Sequence, residues 1–191
     1  PNIDQLAANG VKFRNAFCQN GICVPSRVSL LTGQYPSAHG VFGSNTMGIP
    51  GRLLSLAAYL QNFNYQTAVI GKKHLPGWPT HGFQYERLCY EADAWFCEHH
   101  YYNYLKQQGL HEHYDALGDI EKFTSFENPL PNEHSVEVWT GNEAVQYLQE
   151  RDCSKPFFAE VSFERPHPPL SPSFDCPFRY DPDALTLPQN S

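Results

Sequence analysis

Cys23-Val-Pro-Ser-Arg-Val-Ser-Leu-Leu-Thr-Gly33 is the run of the chain whose residue types demand more than packing. Pro25 cannot donate a backbone hydrogen bond but suits the first turn of a helix. Ser26, or the segment just before it, offers a cap, and Val28, Leu30 and Leu31 supply an apolar face before Gly33 ends the element. Cys23 then falls just outside a helix N-terminus, where unpaired N–H groups and the helix dipole favour an anion. Arg27, one turn in, adds a permanently charged, bidentate donor. A sulfur nucleophile, a dipole and an arginine together describe a site for a negatively charged group. A small cysteine buried at a helix start is the alternative these residues leave open.

Cys23-x-Pro25-Ser26-Arg27, followed by Thr32-Gly33, resembles the signature of the type I sulfatases. The resemblance implies that a formylglycine-generating enzyme oxidises Cys23 after translation to formylglycine, an aldehyde that rests as its hydrate. One hydroxyl of the hydrate would attack sulfur and release the alcohol. The other would lose its proton and expel sulfate, regenerating the aldehyde. A serine can make the first bond but cannot undo it in this way.

On the N-terminal side, residues 2–9 read as a short helix with Ile3 and Leu6 on one face, Asp4 in its first turn and Gly10 as terminator. Residues 11–17 alternate apolar and polar and read as a strand leading to the Cys23 turn. The same run resembles the segment that precedes the cysteine motif in sulfatases. Beyond Gly33, His39 lies in a loop; it can face a pocket, but a structural role is the better reading. Residues 53–63 then read as an amphipathic helix with Leu53, Leu56, Ala57 and Leu60 on one stripe, and residues 66–70 as a buried strand. This helix-then-strand order fits an α/β sheet.

That strand ends at Gly71-Lys72-Lys73-His74-Leu75, where the carboxyl ends of strands in open α/β sheets gather ligands. The segment resembles the Gly-Lys-x-His run of sulfatases, which by position gives Lys72 contact with the sulfate and His74 contact with the formylglycine side chain. Many members have tryptophan between the two; here Lys73 stands there, as in the heparan N-sulfatase branch, and hints at a more anionic substrate. A third cluster, Glu164-Arg-Pro-His-Pro-Pro169, follows a second apolar run at 157–163, read as a buried strand. Its histidine resembles the one that, in sulfatases, contacts the sulfate ester or protonates the leaving oxygen. His167 would take that part as general acid, a task suited to imidazole near neutral pH. The proline-rich run from 180 to 188 extends the likeness, so that it covers most of the chain outside 76–135.

Residues 76–135 are the least readable. A helix within 92–108 is rich in aromatics, and His99, His100, His111 and His113 are dense, but an adjacent pair with an i, i+2 pair is not the usual spacing of zinc ligands. A variable insertion that shapes substrate access fits better, with Trp78, Trp95, Tyr101 and Tyr102 available to stack on a ring. Residues 135–151 return to helical periodicity through Val138, Ala144, Val145 and Leu148.

Thirteen Lys and Arg against twenty Asp and Glu give a net charge of −7, with no basic run, which argues against nucleic acid and anionic membrane surfaces as partners. No apolar stretch approaches the roughly 20 residues that span a bilayer. Six cysteines are too few for a disulfide scaffold in 191 residues; Cys89 and Cys97 close a loop or are two buried thiols.

The resemblance implies an alkaline-phosphatase-like α/β fold, a three-layer sandwich with a mostly parallel central sheet. Residues 1–191 would form part of a single sulfatase catalytic domain, with 76–135 as an insertion. It also implies a divalent cation, usually calcium, held by acidic and amide ligands on an earlier strand and in a later segment. Of these ligands only the side chain derived from Cys23 falls in this chain. The chain therefore reads as an internal piece of a longer enzyme, inactive by itself. The expected activity is hydrolysis of a small-molecule or saccharide sulfate ester, or of a sulfamate. A phosphonate monoester hydrolase or phosphodiesterase of the same superfamily, and an inactive homologue that binds sulfated glycans, are the alternatives. Secretion, periplasm or lysosome are the locations the family implies.

Overall fold

Gln66–Gly71 is a run of β-branched and small residues, and it forms β1, the middle strand of a three-stranded sheet. In the computed structural model, which describes residues 1–43, 53–75, 81–89, 99–115 and 125–186, β1 is flanked by β2 (Tyr85–Leu88) and β3 (Phe157–Ser162). Both pairings are parallel, with Ala68 opposite Tyr85 and Ala159, and Gly71 opposite Leu88 and Ser162. The strand order is β2-β1-β3. Parallel neighbours require crossovers: the helical residues 100–107, 111–115 and 136–150 lie between β2 and β3 in sequence, as the α/β reading expected, whereas no helix lies between β1 and β2 among the described residues.

The alternation of β1 sets the layers. Ala68 and Ile70 are buried against Tyr147 of α7 (Val136–Glu150), with Tyr85, Ala144 and Ala159 packed around them. Thr67 and Val69 point to the other face, where Gln61 of α4 (Leu56–Gln61) donates to Thr67 Oγ1 at 3.4 Å. The result is helix, sheet, helix. Beside it, Cys89, Tyr101, Leu105, Leu130 and Trp139 form a second apolar cluster under α5 (His100–Gln107) and α6 (His111–Asp115).

The chain divides into two compact units, residues 1–54 with 75–77, and residues 55–74 with 78–191. The first contains α1 (Asn2–Ala8), α2 (Cys23–Thr32) and α3 (Pro36–His39). The second contains the sheet, α4 to α7 and two short 3₁₀ turns at Asn132–His134 and Pro182–Ala184.

Several expectations are corrected. Residues 11–17 are irregular and exposed, because a strand is a paired structure and the described residues of the first unit contain no strand to pair with. α4 begins only at Leu56: Ser55 caps it, accepting from the Ala58 N–H at 3.1 Å, and Ala57 is its buried residue. α7 turns a different face inward. Trp139, Thr140, Glu143 and Tyr147 are buried, while Val145 and Leu148 are exposed, since Glu143 meets Arg87 of β2 in a two-pronged ion pair. β3 is an edge among the described strands, with Phe157 and Val161 partly exposed rather than buried. The strand β2 falls inside the 76–135 stretch. Its charged residues are paired with buried partners, Glu86 with Lys73 and Arg87 with Glu143, so its sequence does not read as apolar.

The aromatic and histidine-rich stretch holds itself together. His99 caps α5 by accepting from the Tyr102 N–H at 3.0 Å, and His100 Nδ1 accepts from the Leu88 N–H at 3.1 Å. Tyr101 is buried against Trp139, with ring centroids 5.3 Å apart, and donates to the His134 carbonyl at 2.9 Å. It is a core residue and not a stacking platform; burial pushes its hydroxyl well above the ordinary tyrosine range. Trp78, Trp95 and Cys97 lie outside the described residues, and with them the Cys89–Cys97 pairing.

Candidate active site

Cys23 is the first residue of α2 and not just outside it. The first intrahelical bond runs from the Ser26 N–H to the Ile22 carbonyl at 3.1 Å, so Ser26 is one turn in and does not cap. No side chain caps the helix; Asn20 Oδ1 instead accepts from the Ile22 N–H at 2.7 Å, shaping the approach to the turn. The N–H groups of Cys23 and Val24 precede the first helical bond and Pro25 has none, so the half-exposed Cys23 side chain emerges where the positive end of the dipole lies. Arg27, four residues on, shares its face.

The rest of α2 anchors this end. Val24, Val28 and Leu31 are buried at helical spacing, whereas Leu30 is 71% exposed and off the stripe expected of it. Gly33 closes the helix in the left-handed region, φ 66°, with its N–H on the Ser29 carbonyl at 2.9 Å.

His39 ends α3 and is fully buried. Its Nδ1 accepts from the Val41 N–H at 3.1 Å, so Nε2 carries the hydrogen that faces Ser29 Oγ at 3.0 Å. The imidazole therefore binds α2 to α3 as a neutral ring, the structural role expected for it. Burial lowers its pKa below the ordinary histidine value, only partly opposed by the Pro25 backbone. Below the unfolded value of about 6.5, the unfolded chain takes up a proton that the native ring refuses. Native stability therefore falls as pH drops through 6.5. Denaturant midpoints measured between pH 8 and 5 should fall more steeply for the native protein than for His39→Gln; parallel curves would rule the linkage out.

In the second unit, the site is built where β1 and β3 end side by side. Gly71 has φ 91°, and a Cβ there would lie 2.1 Å from the Ser162 carbonyl oxygen. Only glycine allows this approach, and it lets the Lys72 N–H reach the same carbonyl at 2.9 Å. Lys72 is buried, with Nζ 3.0 Å from Glu164 Oε1. Lys73 is also buried, with Nζ 3.2 Å from both Glu86 oxygens. Its charge is engaged inside the protein, which removes the ground for reading it as a hint of an anionic substrate. His74 follows with φ 46°, a left-handed backbone that costs a β-carbon residue about 1 kcal/mol or more and is typical of functional turns.

After β3, the 164–169 loop is fixed by Arg165, which donates to the Pro169 carbonyl at 2.8 Å and to Ser171 Oγ at 2.6 Å, with Glu137 at 3.7 Å. The His167 ring is 43% exposed, with Nδ1 2.6 Å from the Pro168 carbonyl and 3.8 Å from Glu164 Oε1. Lys72 and His167 thus meet at one carboxylate. Sequence reading singled out both but gave Glu164 no role. The signal was its position, a carboxylate directly at the carboxyl end of a strand beside β1.

The sequence matches the sulfatase family over residues 1–186. The chain belongs to that family. It is 32% identical to an uncharacterised sulfatase of Escherichia coli K12 over 186 residues, covering 94% of this chain and 35% of that protein. It is 30% identical to the mouse iduronate 2-sulfatase, over 94% of this chain and 31% of the relative. Among solved structures, it superposes on the phosphonate monoester hydrolase of Agrobacterium radiobacter with a TM-score of 0.69 and 25% identity, over 92% of this chain and 38% of the other. The Silicibacter pomeroyi phosphonate monoester hydrolase gives a TM-score of 0.71 at 22% identity, over 98% and 40%. The fold is therefore the alkaline-phosphatase-like α/β fold, of which these residues show the parallel sheet and its helices. The chain spans about a third of the length of the curated relatives it matches.

Sulfatases use calcium and formylglycine. Among the described residues, no group of three or more His, Cys, Asp or Glu lies close enough together to hold a metal ion. These residues do not by themselves form the ion's site.

Proposed function

We propose that this chain carries the nucleophile and acid of a sulfuric ester hydrolase, with Cys23 matured to formylglycine. The observation that supports this best is Cys23 at the first position of α2, at the positive end of its dipole, with Arg27 one turn along the same face. Arg27 is suited to a planar pair of anionic oxygens, Lys72 to the sulfate as a point charge, and His74 to the matured side chain at 23. His167 gives the proton to the leaving oxygen. Its Nδ1 faces a carbonyl, which only accepts, so Nδ1 holds a hydrogen and Nε2 is the nitrogen that exchanges the working proton. When bound, calcium would neutralise the sulfate, with residue 23 as this chain's ligand.

The substrate class proposed is a saccharide sulfate. Relatives named iduronate 2-sulfatase, N-acetylglucosamine-6-O-sulfatase and ulvan-active sulfatase, at 28 to 36% identity, favour it. The stretch from 76 to 135, apart from β2, is proposed to shape access to the site. A formylglycine-generating enzyme is the maturation partner.

The structural likeness to a phosphonate monoester hydrolase at 25% identity favours a second reading, hydrolysis of phosphonate monoesters or phosphodiesters at the same nucleophile. One experiment separates the two. Full-length protein co-expressed with a formylglycine-generating enzyme is analysed by peptide mass spectrometry across Cys23 and assayed on aryl sulfates and aryl phosphonates. A mass lower by the difference between thiol and aldehyde, with kcat/KM higher for the sulfate, is expected. Higher kcat/KM for the phosphonate selects the second reading, and an unmodified thiol without turnover leaves a glycan-binding homologue.

A further inference from the structure

Three side chains from two adjacent loops converge on one oxygen atom. Lys72 follows β1, and Glu164 and His167 follow β3. Glu164 Oε1 lies 3.0 Å from Lys72 Nζ and 3.8 Å from His167 Nδ1. The lysine side chain is 3% exposed and the carboxylate 12%. Glu164 Oε2 is buried and has no hydrogen-bond partner among the described residues. A carboxylate held this way is costly as a stability device, since burying an ion pair seldom returns more than its desolvation. It does set one carboxylate oxygen between the Lys72 ammonium and the His167 ring. Arg165 stiffens the same loop from its other side through Pro169, Ser171 and Glu137; among the described residues, Glu164 and Arg165 face His167 directly, with Lys72 and Glu137 paired to them in turn.

We infer that Glu164 is a positioning residue for the proposed hydrolysis: its carboxylate holds the Lys72 ammonium and the His167 ring in one fixed relation. The sulfate gripped by the first is thereby kept within reach of the Nε2 proton of the second. This rests on the sulfatase reading above. In the step concerned, the nucleophile's hydroxyl gives its proton to solvent water as its oxygen bonds to sulfur, and the ester S–O bond breaks with its electron pair going to the leaving oxygen. That oxygen takes the Nε2 proton, and the imidazolium becomes imidazole until water returns a proton.

Protonation of the leaving group matters most when that group is a poor one, which gives a readout a structural role does not move. The test uses the full-length matured protein with 4-nitrophenyl sulfate, a good leaving group, and 4-methoxyphenyl sulfate, a poor one. Glu164→Gln should lower kcat/KM for the poor substrate about ten-fold more than for the good one. Glu164→Asp, which keeps the charge but shortens the reach, should restore part of the difference. Equal losses on both substrates, or none, overturn the inference. If Glu164→Gln fails to fold, Glu164→Asp is judged by the same criterion against the native protein: a selective loss supports the inference and an equal loss overturns it. A native protein that is matured yet inert to both sulfates sinks the function proposal itself and the inference with it, a result visible before any variant is made.

Discussion

Cys23→Ala in the full-length protein should turn over a sulfate ester about 10³-fold or more slowly than the matured native protein, since removal of a covalent nucleophile leaves only binding and electrostatic terms. The helix should not suffer. Cys23 is half-exposed at the first position of α2, and the buried stripe of Val24, Val28 and Leu31 is untouched. Cys23→Ser sharpens the result, because serine offers one hydroxyl and no second to lose a proton and expel sulfate. It should release about one equivalent of alcohol per protein and then stop, with the sulfate retained as a mass increase on residue 23. Continued turnover by either variant would remove the covalent mechanism, whatever the family likeness.

The second large effect is structural. Gly71→Ala should destabilise the protein by about 3 kcal/mol or more, the sum of a left-handed backbone penalty and a backbone clash. The new Cβ would meet the Ser162 carbonyl oxygen at 2.1 Å and Thr140 Cγ2 at 2.9 Å, and the first of these is backbone that cannot rotate away. Any relief separates the ends of β1 and β3, and with them Lys72 from Glu164. Gly109 supplies the control: it also has positive φ, 72°, but nothing lies within 4 Å of its added Cβ. Gly109→Ala should cost only the backbone term, so equal denaturant midpoints for the two variants would show that the close approach at Gly71 does not matter.

Much of this was legible in the sequence, and the reasons differ from place to place. β1 was readable because a central strand is buried on both faces and must be apolar throughout. The end of α2 was readable because Gly33 is a local signal, satisfied by one left-handed residue. The buried face of α7 was misread because an ion pair was hidden in it. Glu143 is buried only on account of Arg87, 56 residues away, and periodicity has no access to such a partner. The same reason concealed β2, whose Glu86 and Arg87 look like surface residues until Lys73 and Glu143 are placed beside them. The candidate site behaved likewise: Cys23, Arg27, Lys72, His74 and His167 carry recognisable chemistry, whereas Glu164 gains its meaning only from two neighbours brought to one of its oxygens.

The sheet order also bears on which parts of the site can open. β1 is bonded along both sides, to β2 and to β3, and its last residue passes directly into Lys72. To release that backbone, two ladders must break together, which protects the strand that leads into the lysine. His167 hangs from β3, which among the described strands is bonded on one side only. Backbone held on one side opens at lower free energy and exchanges its amide hydrogens sooner. Among the described residues, the backbone that carries Lys72 and the backbone that carries His167 therefore differ in local stability, and amide exchange should be slower along 67–71 than along 158–162.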